Sequence, residues 1–169
     1  MYILVDKVYP RKYSKTVGIK NEGETMKIST KGRYALRLMT DLAIHKDDGY
    51  ISIKTVSQRQ GISEKYLEQI IKLLANENFV ESIRGAQGGY KLTREPIEYT
   101  VGEILRVTEG SLAPVACLAT DENTCENCMD CVTLEIWQCV LDAVNKVVDS
   151  ITLQYLVDKQ KEKGNCGCC

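Results

Sequence analysis

One stretch decides the fold, residues 62–93, which read ISEKYLEQIIKLLANENFVESIRGAQGGYKLT. In its first half, apolar residues recur at steps of three and four, which predicts a helix with one face toward a core. Ser63 precedes the pattern, and we expect its hydroxyl to accept a hydrogen bond from the first turn. After Phe79 the residues alternate about the glycine-rich segment 85–89, which predicts a β-hairpin. A polar-faced helix followed by such a hairpin is typical of a winged helix-turn-helix, whose helix enters the major groove of DNA and whose wing enters the minor groove.

The flanking residues complete this domain. Helical spacing from Ser29 predicts a first helix, and residues 54–60 predict a short second helix that ends at a tight turn on Gly61. Beyond the hairpin, we expect Thr100 to cap a further helix that stops near Gly110. Residues 26–110 are therefore predicted to form a winged helix-turn-helix DNA-binding domain.

The C-terminal part is predicted to contain a cysteine-rich loop at residues 111–131 and dimerisation helices at residues 132–158. The stripe of the long helix is too apolar for the outer helix of a monomer and requires a partner. A flexible tail rich in cysteine is expected at residues 159–169. The predicted fold class is mainly α with a small β-wing, in which a long C-terminal dimerisation helix follows the winged helix-turn-helix.

Residues 1–25 show no clear period, and the well-organised sequence opens at Met26. We interpret this N-terminal extension as a disordered arm or as residues upstream of the true start.

Composition limits the cellular setting. The chain has no apolar run of about 20 residues that would span a bilayer and no signal peptide, so we expect a cytoplasmic protein with no membrane association. In that compartment clustered cysteines indicate metal ligands rather than disulfides.

The charges are unevenly distributed along the chain. Residues 1–100 contain 17 Lys and Arg against 12 Asp and Glu, whereas residues 101–169 contain 5 Lys and Arg against 11 Asp and Glu. A basic front half suits a surface that faces phosphate.

The predicted DNA contacts fall into groups with different chemistry. Base contacts are expected from the recognition helix, where Glu68 can accept from a cytosine amino group. Phosphate contacts would set the register of the protein without reading sequence. Arg84 suits a narrow minor groove, and Gly85 lets the wing backbone approach closely. The complete predicted set is Lys27, Lys31, Arg33, Ser63, Lys65, Tyr66, Glu68, Gln69, Arg84 and Gly85.

The eight cysteines are clustered. Five lie between Cys117 and Cys139, mostly on the predicted loop, and thiolates gathered on a loop are typical of zinc or iron–sulfur sites. The run Cys125, Cys128 and Cys131 has spacing similar to that of ferredoxins. We expect metal or cluster binding, with iron–sulfur favoured over zinc. A redox thiol pair and buried, non-ligating cysteines remain alternatives.

No enzyme is predicted, because the single histidine has no nucleophile or acid beside it in any catalytic pattern.

The motifs MKISTKGRYALRLM from Met26, GISEKYLEQIIKLLANENFVESIRGAQGGYKL from Gly61 and TVGEILRVTEG from Thr100 resemble the IscR/NsrR/CymR family of bacterial winged-helix regulators. The resemblance covers residues 26–159. It implies a homodimer that binds a partly palindromic double-stranded DNA operator. It also implies that Glu68 takes part in sequence specificity.

The chain resembles two branches of this family in different parts of its sequence. The opening, the wing and the SLAPV stretch look most like CymR regulators, which typically have no cluster and act through a partner enzyme of cysteine synthesis. The cysteine loop looks like that of IscR regulators, whose three cysteines hold a 2Fe–2S cluster. By position those three match Cys117, Cys125 and Cys131, with Cys128 as an additional candidate ligand. The IscR histidine falls at Leu134, and the carboxylate of NsrR regulators falls at Arg33, so the fourth ligand is missing.

We therefore expect a dimeric transcription regulator, a repressor, that senses iron–sulfur status through a 2Fe–2S cluster and controls cluster-assembly genes. A 4Fe–4S cluster is the less favoured form. The alternative is a CymR-like regulator of cysteine and sulfur metabolism that acts through a protein partner, a cysteine-synthesis enzyme. Its cysteines would be redox thiols or zinc ligands.

Overall fold

A computed structural model describes residues 28–85, 88–120, 123 and 125–165. Lys27, the extension at residues 1–25 and the cysteines of residues 166–169 lie outside the described residues. The helices are α1 (Thr30–Ile44), α2 (Ile53–Gln60), α3 (Glu64–Asn76), α4 (Val101–Glu109), α5 (Leu134–Ser150) and α6 (Leu153–Asn165). The strands are β1 (Val80–Ile83) and β2 (Gly89–Leu92), which pair antiparallel. The predicted fold class is confirmed.

Local signals explain the first two helices. The Ser29 hydroxyl accepts from the amides of Lys31 at 3.1 Å and Gly32 at 3.4 Å, which caps the start of α1. The Ser52 hydroxyl accepts from the Thr55 amide at 3.1 Å and caps α2 in the same way. Gly61 ends α2 in the left-handed region, with φ of 64°, where glycine has no steric cost.

The core lies among α1, α2, α3 and the base of the wing, because each helix turns its apolar stripe toward the same centre. Leu38, Leu67, Ile70 and Leu74 are fully buried there. Tyr99 closes one end of this core, and its hydroxyl donates to the carbonyl of Phe79 at 2.8 Å. The buried hydroxyl therefore has the partner that burial requires.

The wing is joined to the domain by backbone contacts. Ile51 and Tyr90 exchange both amide hydrogen bonds at 2.9 Å, which adds a short bridge beside the hairpin. A Cβ atom on Gly89 would lie 2.5 Å from the backbone of Ile51, so only glycine permits this approach. The wing therefore sits close against the segment that leads into α2.

The C-terminal segment returns to the winged domain. The amide of Val101 donates to the carbonyl of Ile151 at 2.8 Å, and the amide of Leu153 donates to the carbonyl of Tyr99 at 2.9 Å. These two bonds form the Thr100–Thr152 bridge. The bridge places α6 against the winged domain, where Leu153 and Val157 enter the core.

Two local expectations need correction. Ser63 occupies the N-cap of α3, but its hydroxyl makes no capping hydrogen bond. The amides of Tyr66 and Leu67 instead bond to the Ser63 carbonyl, each at 3.1 Å. In addition, α6 continues to Asn165, so the first part of the predicted tail is helical.

The described helices do not include one with the length and apolar character that spanning a bilayer requires.

Candidate nucleic-acid interface and cysteine loop

The recognition helix α3 has a buried face and an exposed polar face. Leu67, Ile70, Ile71 and Leu74 are buried against the core. This packing leaves the opposite face of the helix in solvent. Of the predicted DNA contacts in this region, the exposed ones are Ser63, Lys65, Glu68 and Gln69.

Tyr66 differs from the other predicted contacts on α3. It is half-buried and packs against the core, with its ring edge-on to Tyr34 at a centroid separation of 5.6 Å and an interplanar angle of 85°. The Arg37 guanidinium lies 5.6 Å from the centre of the Tyr34 ring. Tyr66 therefore has a packing role in this structure, and its contact with bases remains a prediction.

The start of α1 presents the remaining predicted phosphate contacts. Arg33 is exposed and donates to the Thr30 hydroxyl at 2.9 Å, whereas Lys31 is half-buried. The carboxylate of Glu109, from the end of α4, lies against this turn and accepts from the Gly32 amide at 2.9 Å and from the Ser29 hydroxyl at 2.7 Å. A distant carboxylate thus holds the helix end that the sequence predicts to face DNA.

The wing presents Arg84 and Gly85 at the end of β1, and both are exposed. Gly85 has φ of 117°, which favours glycine at this turn. Behind the tip, Glu81 binds Lys91 at 2.8 Å and accepts from the Tyr50 hydroxyl at 3.0 Å. The two contacts lower the pKa of Glu81, with the Lys91 hydrogen bond as the larger cause.

In the described parts of the cysteine loop, residues 111–131, the regular structure consists of short 3-10 turns at Ala116–Leu118 and Cys128–Asp130. Cys117 and Cys131 line one open groove together with Leu134 of α5. Cys125 and Cys128 do not line it. All four thiols are half-exposed. Within the described residues, no three His, Cys, Asp or Glu side chains converge closely enough to hold a metal ion.

The donor set therefore fits an iron–sulfur cluster in chemistry but is not assembled in this arrangement of the loop. Leu134 faces the groove with an apolar side chain where a ligand would be required. A hydrogen bond between the Cys131 sulfur and the Thr133 hydroxyl, 3.5 Å apart, lowers the pKa of the Cys131 thiol. Cys139 is exposed on α5 and is not among the residues that line the groove.

Helix α5 has no buried residue, although its sequence is strongly amphipathic. Ile136 and Val147 are 57% and 58% exposed, and Trp137 is 37% exposed. On its inner side, Arg106 of α4 donates to both carboxylate oxygens of Asp149 at 2.7 and 2.8 Å. The helix is therefore held on one side, and the part of the chain that the structure describes leaves a large apolar face of it uncovered.

These features define a winged-helix DNA-binding protein. The chain matches the family described as Rrf2, iron-dependent transcriptional regulator, over residues 28–159. It belongs to the Rrf2 family, whose members are transcription regulators and not enzymes. This confirms the resemblance identified from the sequence.

Two branches of the family are represented among the relatives. The Bacillus subtilis transcriptional regulator CymR is 45% identical over 131 residues, or 78% of this chain and 89% of the relative. The solved structure of the same protein, described as the global cysteine regulator, has 43% identity and a TM-score of 0.64, and covers 79% of this chain and 97% of its own. The structure of T. potens IscR has 40% identity and the same TM-score, with 85% and 93% covered.

Two site features were missed by the sequence reasoning. Glu109 reaches α1 from a position 77 residues further along the chain than its partner Gly32. Arg106 joins α4 to α5 through Asp149 and through the Asn145 side chain, which accepts at 2.7 Å. Neither pairing has a short-range pattern, although a carboxylate near a helix N-terminus is a favourable placement in general.

Proposed function

We propose that this chain is a homodimeric repressor of cysteine and sulfur metabolism. It binds a partly palindromic DNA operator and acts together with a protein partner, a cysteine-synthesis enzyme. The observation that carries the proposal is the exposed polar face of α3 beside the wing, in a chain with 45% identity to a CymR regulator. This function is the alternative that the sequence predicts.

The DNA-binding part rests on side-chain placement. Lys65, Glu68 and Gln69 are exposed on one face of α3, and Arg84 is exposed at the wing. A helix in the major groove and an arginine in the adjacent minor groove would contact one half-site. Binding to two half-sites requires a dimer. The exposed apolar face of α5 supports dimerisation, because burying this face between two subunits removes large apolar side chains from water.

The choice of regulated genes rests on the CymR likeness and on the cysteine loop. The solved structure of the global cysteine regulator of B. subtilis is 43% identical and nearly all of it is covered. Among the described residues of the loop, no three candidate ligands converge on one point. Half-exposed thiols such as Cys131, whose pKa is lowered by its hydrogen bond with Thr133, suit redox chemistry.

The test has a DNA arm and a gene arm. Selection of duplexes from a random pool should yield a partly palindromic site, and binding should weaken steeply with salt because phosphate contacts release counterions. Depleting the protein in cells grown with ample cysteine should raise transcripts for cysteine synthesis and sulfur uptake. Transcripts of cluster-assembly genes that rise instead would reject the cysteine assignment and leave the DNA-binding function intact.

A second candidate function, iron–sulfur sensing, is favoured by Cys117 and Cys131 sharing one groove. The 40% identity to T. potens IscR supports it as well. The cluster ligands would be Cys117, Cys125 and Cys131, with Cys128 as an additional ligand in place of the missing histidine. The bound cluster would supply a redox-sensitive group. The chain itself would have to rearrange the loop so that Cys125 approaches the groove.

The experiment for this candidate is anaerobic reconstitution with iron and sulfide, followed by a visible spectrum and metal analysis. Cys125→Ser should abolish the colour and the bound iron, whereas Cys139→Ser, on the exposed side of α5, is the matched control and should retain both. Protein that stays colourless, particularly with zinc bound, would reject cluster sensing. The iron content per chain would separate a 2Fe–2S from a 4Fe–4S cluster.

A further inference from the structure

The carboxylate of Glu109 completes the cap of α1. It accepts from the Gly32 amide at 2.9 Å and from the Ser29 hydroxyl at 2.7 Å. The same Ser29 oxygen accepts from the amides of Lys31 and Gly32. Free amides at a helix start need such acceptors, and a negative charge there is further stabilised by the helix dipole. The first turn of α1 is therefore held by a residue of α4.

The contact is close and allows little displacement. A Cβ atom on residue 32 would lie 2.2 Å from the Glu109 oxygen and 3.1 Å from the Leu105 side chain. Gly32 is buried, so its hydrogen bond with Glu109 is shielded from water. A side chain at position 32 would thus displace the Glu109 carboxylate from its contact with the helix start.

Glu109 is also the last residue of α4, immediately before the cysteine loop. Gly110 follows with φ of 82°, and its amide bonds to the Arg106 carbonyl at 2.9 Å. Leu112, at the start of the loop, is buried against Val101 and Leu105 of α4. A movement of the loop that displaces Leu112 will therefore act directly on α4, one turn before Glu109.

Helix α5, which follows the loop, is attached to the same helix near its own C-terminal end. The loop leads into α5, and α5 is joined back to α4 by the two bonds from Arg106 to Asp149. A Cβ atom on Gly102 would lie 1.9 Å from an Asp149 carboxylate oxygen, so the two helices are in close contact here. The loop is therefore followed by a helix that is itself held against α4.

We propose that Glu109 is a positioning residue that transmits the state of the cysteine loop to the DNA-facing end of α1. When the loop changes, the end of α4 shifts and the carboxylate leaves the Gly32 amide. The first turn of α1 then loses one of its acceptors, together with the carboxylate that orients the Ser29 hydroxyl, and it frays, so Lys31 and Arg33 are no longer held for phosphate contact. The inference rests on the proposed DNA-binding function, and it applies whether the loop senses thiols, zinc or a cluster.

The first measurement is hydrogen exchange at the amides of residues 31–33. Glu109→Ala should speed this exchange about fivefold, the factor expected for loss of a helix cap. Glu109→Gln keeps an acceptor oxygen without the charge and should stay within about twofold of the unsubstituted protein on the same grounds. Glu162→Gln, at an exposed position of α6, is the control for removing one surface charge. Unchanged exchange in Glu109→Ala would overturn the proposal.

The second measurement tests transmission. N-ethylmaleimide is used to alkylate the loop in a full-length protein whose only cysteines are those of the loop. The cysteines replaced by serine in this protein are Cys139, Cys166, Cys168 and Cys169. Alkylation should change the Kd for the selected operator by about fivefold, the lower end of typical allosteric coupling. In Glu109→Ala the alkylated and free proteins should bind alike.

The possible outcomes distinguish failure of the link through Glu109 from failure of the proposed DNA-binding function. If Glu109→Ala responds to alkylation as strongly as the parent protein, the link through Glu109 is wrong while sensing by the loop stands. If alkylation leaves operator binding of the parent unchanged, both the link and the sensing role of the loop are overturned. If no operator is bound by any form, the DNA-binding function fails first, and the inference fails with it.

Discussion

Asp41 of α1, only 2% exposed, accepts hydrogen bonds from both prongs of the Arg59 guanidinium at the end of α2. The Gln60 side chain donates to the same carboxylate at 2.9 Å. The pair therefore joins the first helix to the turn on Gly61, which leads into the recognition helix. A buried carboxylate with a paired arginine and a further donor is fully satisfied.

Removing that carboxylate should destabilise the protein. In Asp41→Ala the donors of Arg59 and Gln60 lose their acceptor, and we expect the free energy of unfolding to fall by about 2 kcal/mol. The loss is smaller than for a fully buried pair because the Arg59 side chain is 30% exposed. Urea unfolding at fixed protein concentration measures it. Asp158→Ala, which removes an exposed carboxylate bonded to Gln154, should change it by less than about 0.5 kcal/mol.

The wing arginine should contribute to DNA affinity in a salt-dependent way. Arg84→Ala removes one exposed positive charge at the hairpin tip. We expect weaker operator binding and a salt dependence of log K whose slope is smaller by about 1, since one phosphate-region contact is lost. Fluorescence titrations at several salt concentrations measure both quantities. Lys161→Ala, an exposed charge on α6, is the control, and an equal effect there would contradict a specific wing contact.

The exposed apolar face of α5 should be the dimer interface. Ile136→Glu places a charge where burial of an isoleucine is expected, so we predict dissociation to monomers and loss of operator binding at micromolar protein. Sedimentation velocity measures the oligomeric state. Met129→Glu is the matched control, because Met129 is 91% exposed on the loop and should not alter assembly. A dimeric Ile136→Glu protein would show that another surface joins the subunits.

The Arg106–Asp149 ion pair should make stability depend on pH in the acid range. The Arg106 hydrogen bond lowers the pKa of Asp149 below its ordinary value of 3.8. The stabilisation is therefore complete above pH 3.8 and is lost as the pH falls through the lower folded-state pKa. Both side chains are more than one third exposed, so the contribution should stay below about 1 kcal/mol.

Thermal unfolding across this range checks the prediction. Asp149→Asn should be less stable than the unsubstituted protein at pH 6, and the difference should shrink on acidification below pH 3.8. A difference that stays constant with pH would mean that packing against Gly102, rather than the ion pair, accounts for the effect.

The helices and the wing could be predicted because their signals are local. Ser29 and Ser52 cap the helices that they precede, and the apolar spacing of Leu67, Ile70 and Leu74 gives the buried face of α3 directly. The role of Ser63 was harder to predict, since the backbone carbonyl and the hydroxyl of one residue compete for the same amides. The end of α6 was also misjudged, because exposed pairs such as Lys159 with Glu162, 2.7 Å apart, support a polar helix.

The candidate sites were only partly predictable for a different physical reason. Exposure of Lys65, Glu68 and Gln69 follows from the helical period. The positions of Cys117, Cys125 and Cys131 depend on a loop without period, where spacing along the chain does not determine distance in space. The contact between Glu109 and Gly32 depends on how two helices meet, and no feature within either helix specifies it.

The Thr100–Thr152 bridge has a consequence for how such a chain can vary. The segment of residues 101–151 begins and ends at adjacent points, joined by two backbone hydrogen bonds. Because the closing entropy of a flexible loop grows only logarithmically with length, doubling the cysteine loop would cost about 0.6 kcal/mol. Residues can therefore be inserted into or deleted from that loop at little cost in folding. The same winged-helix framework can in this way carry loops of different lengths.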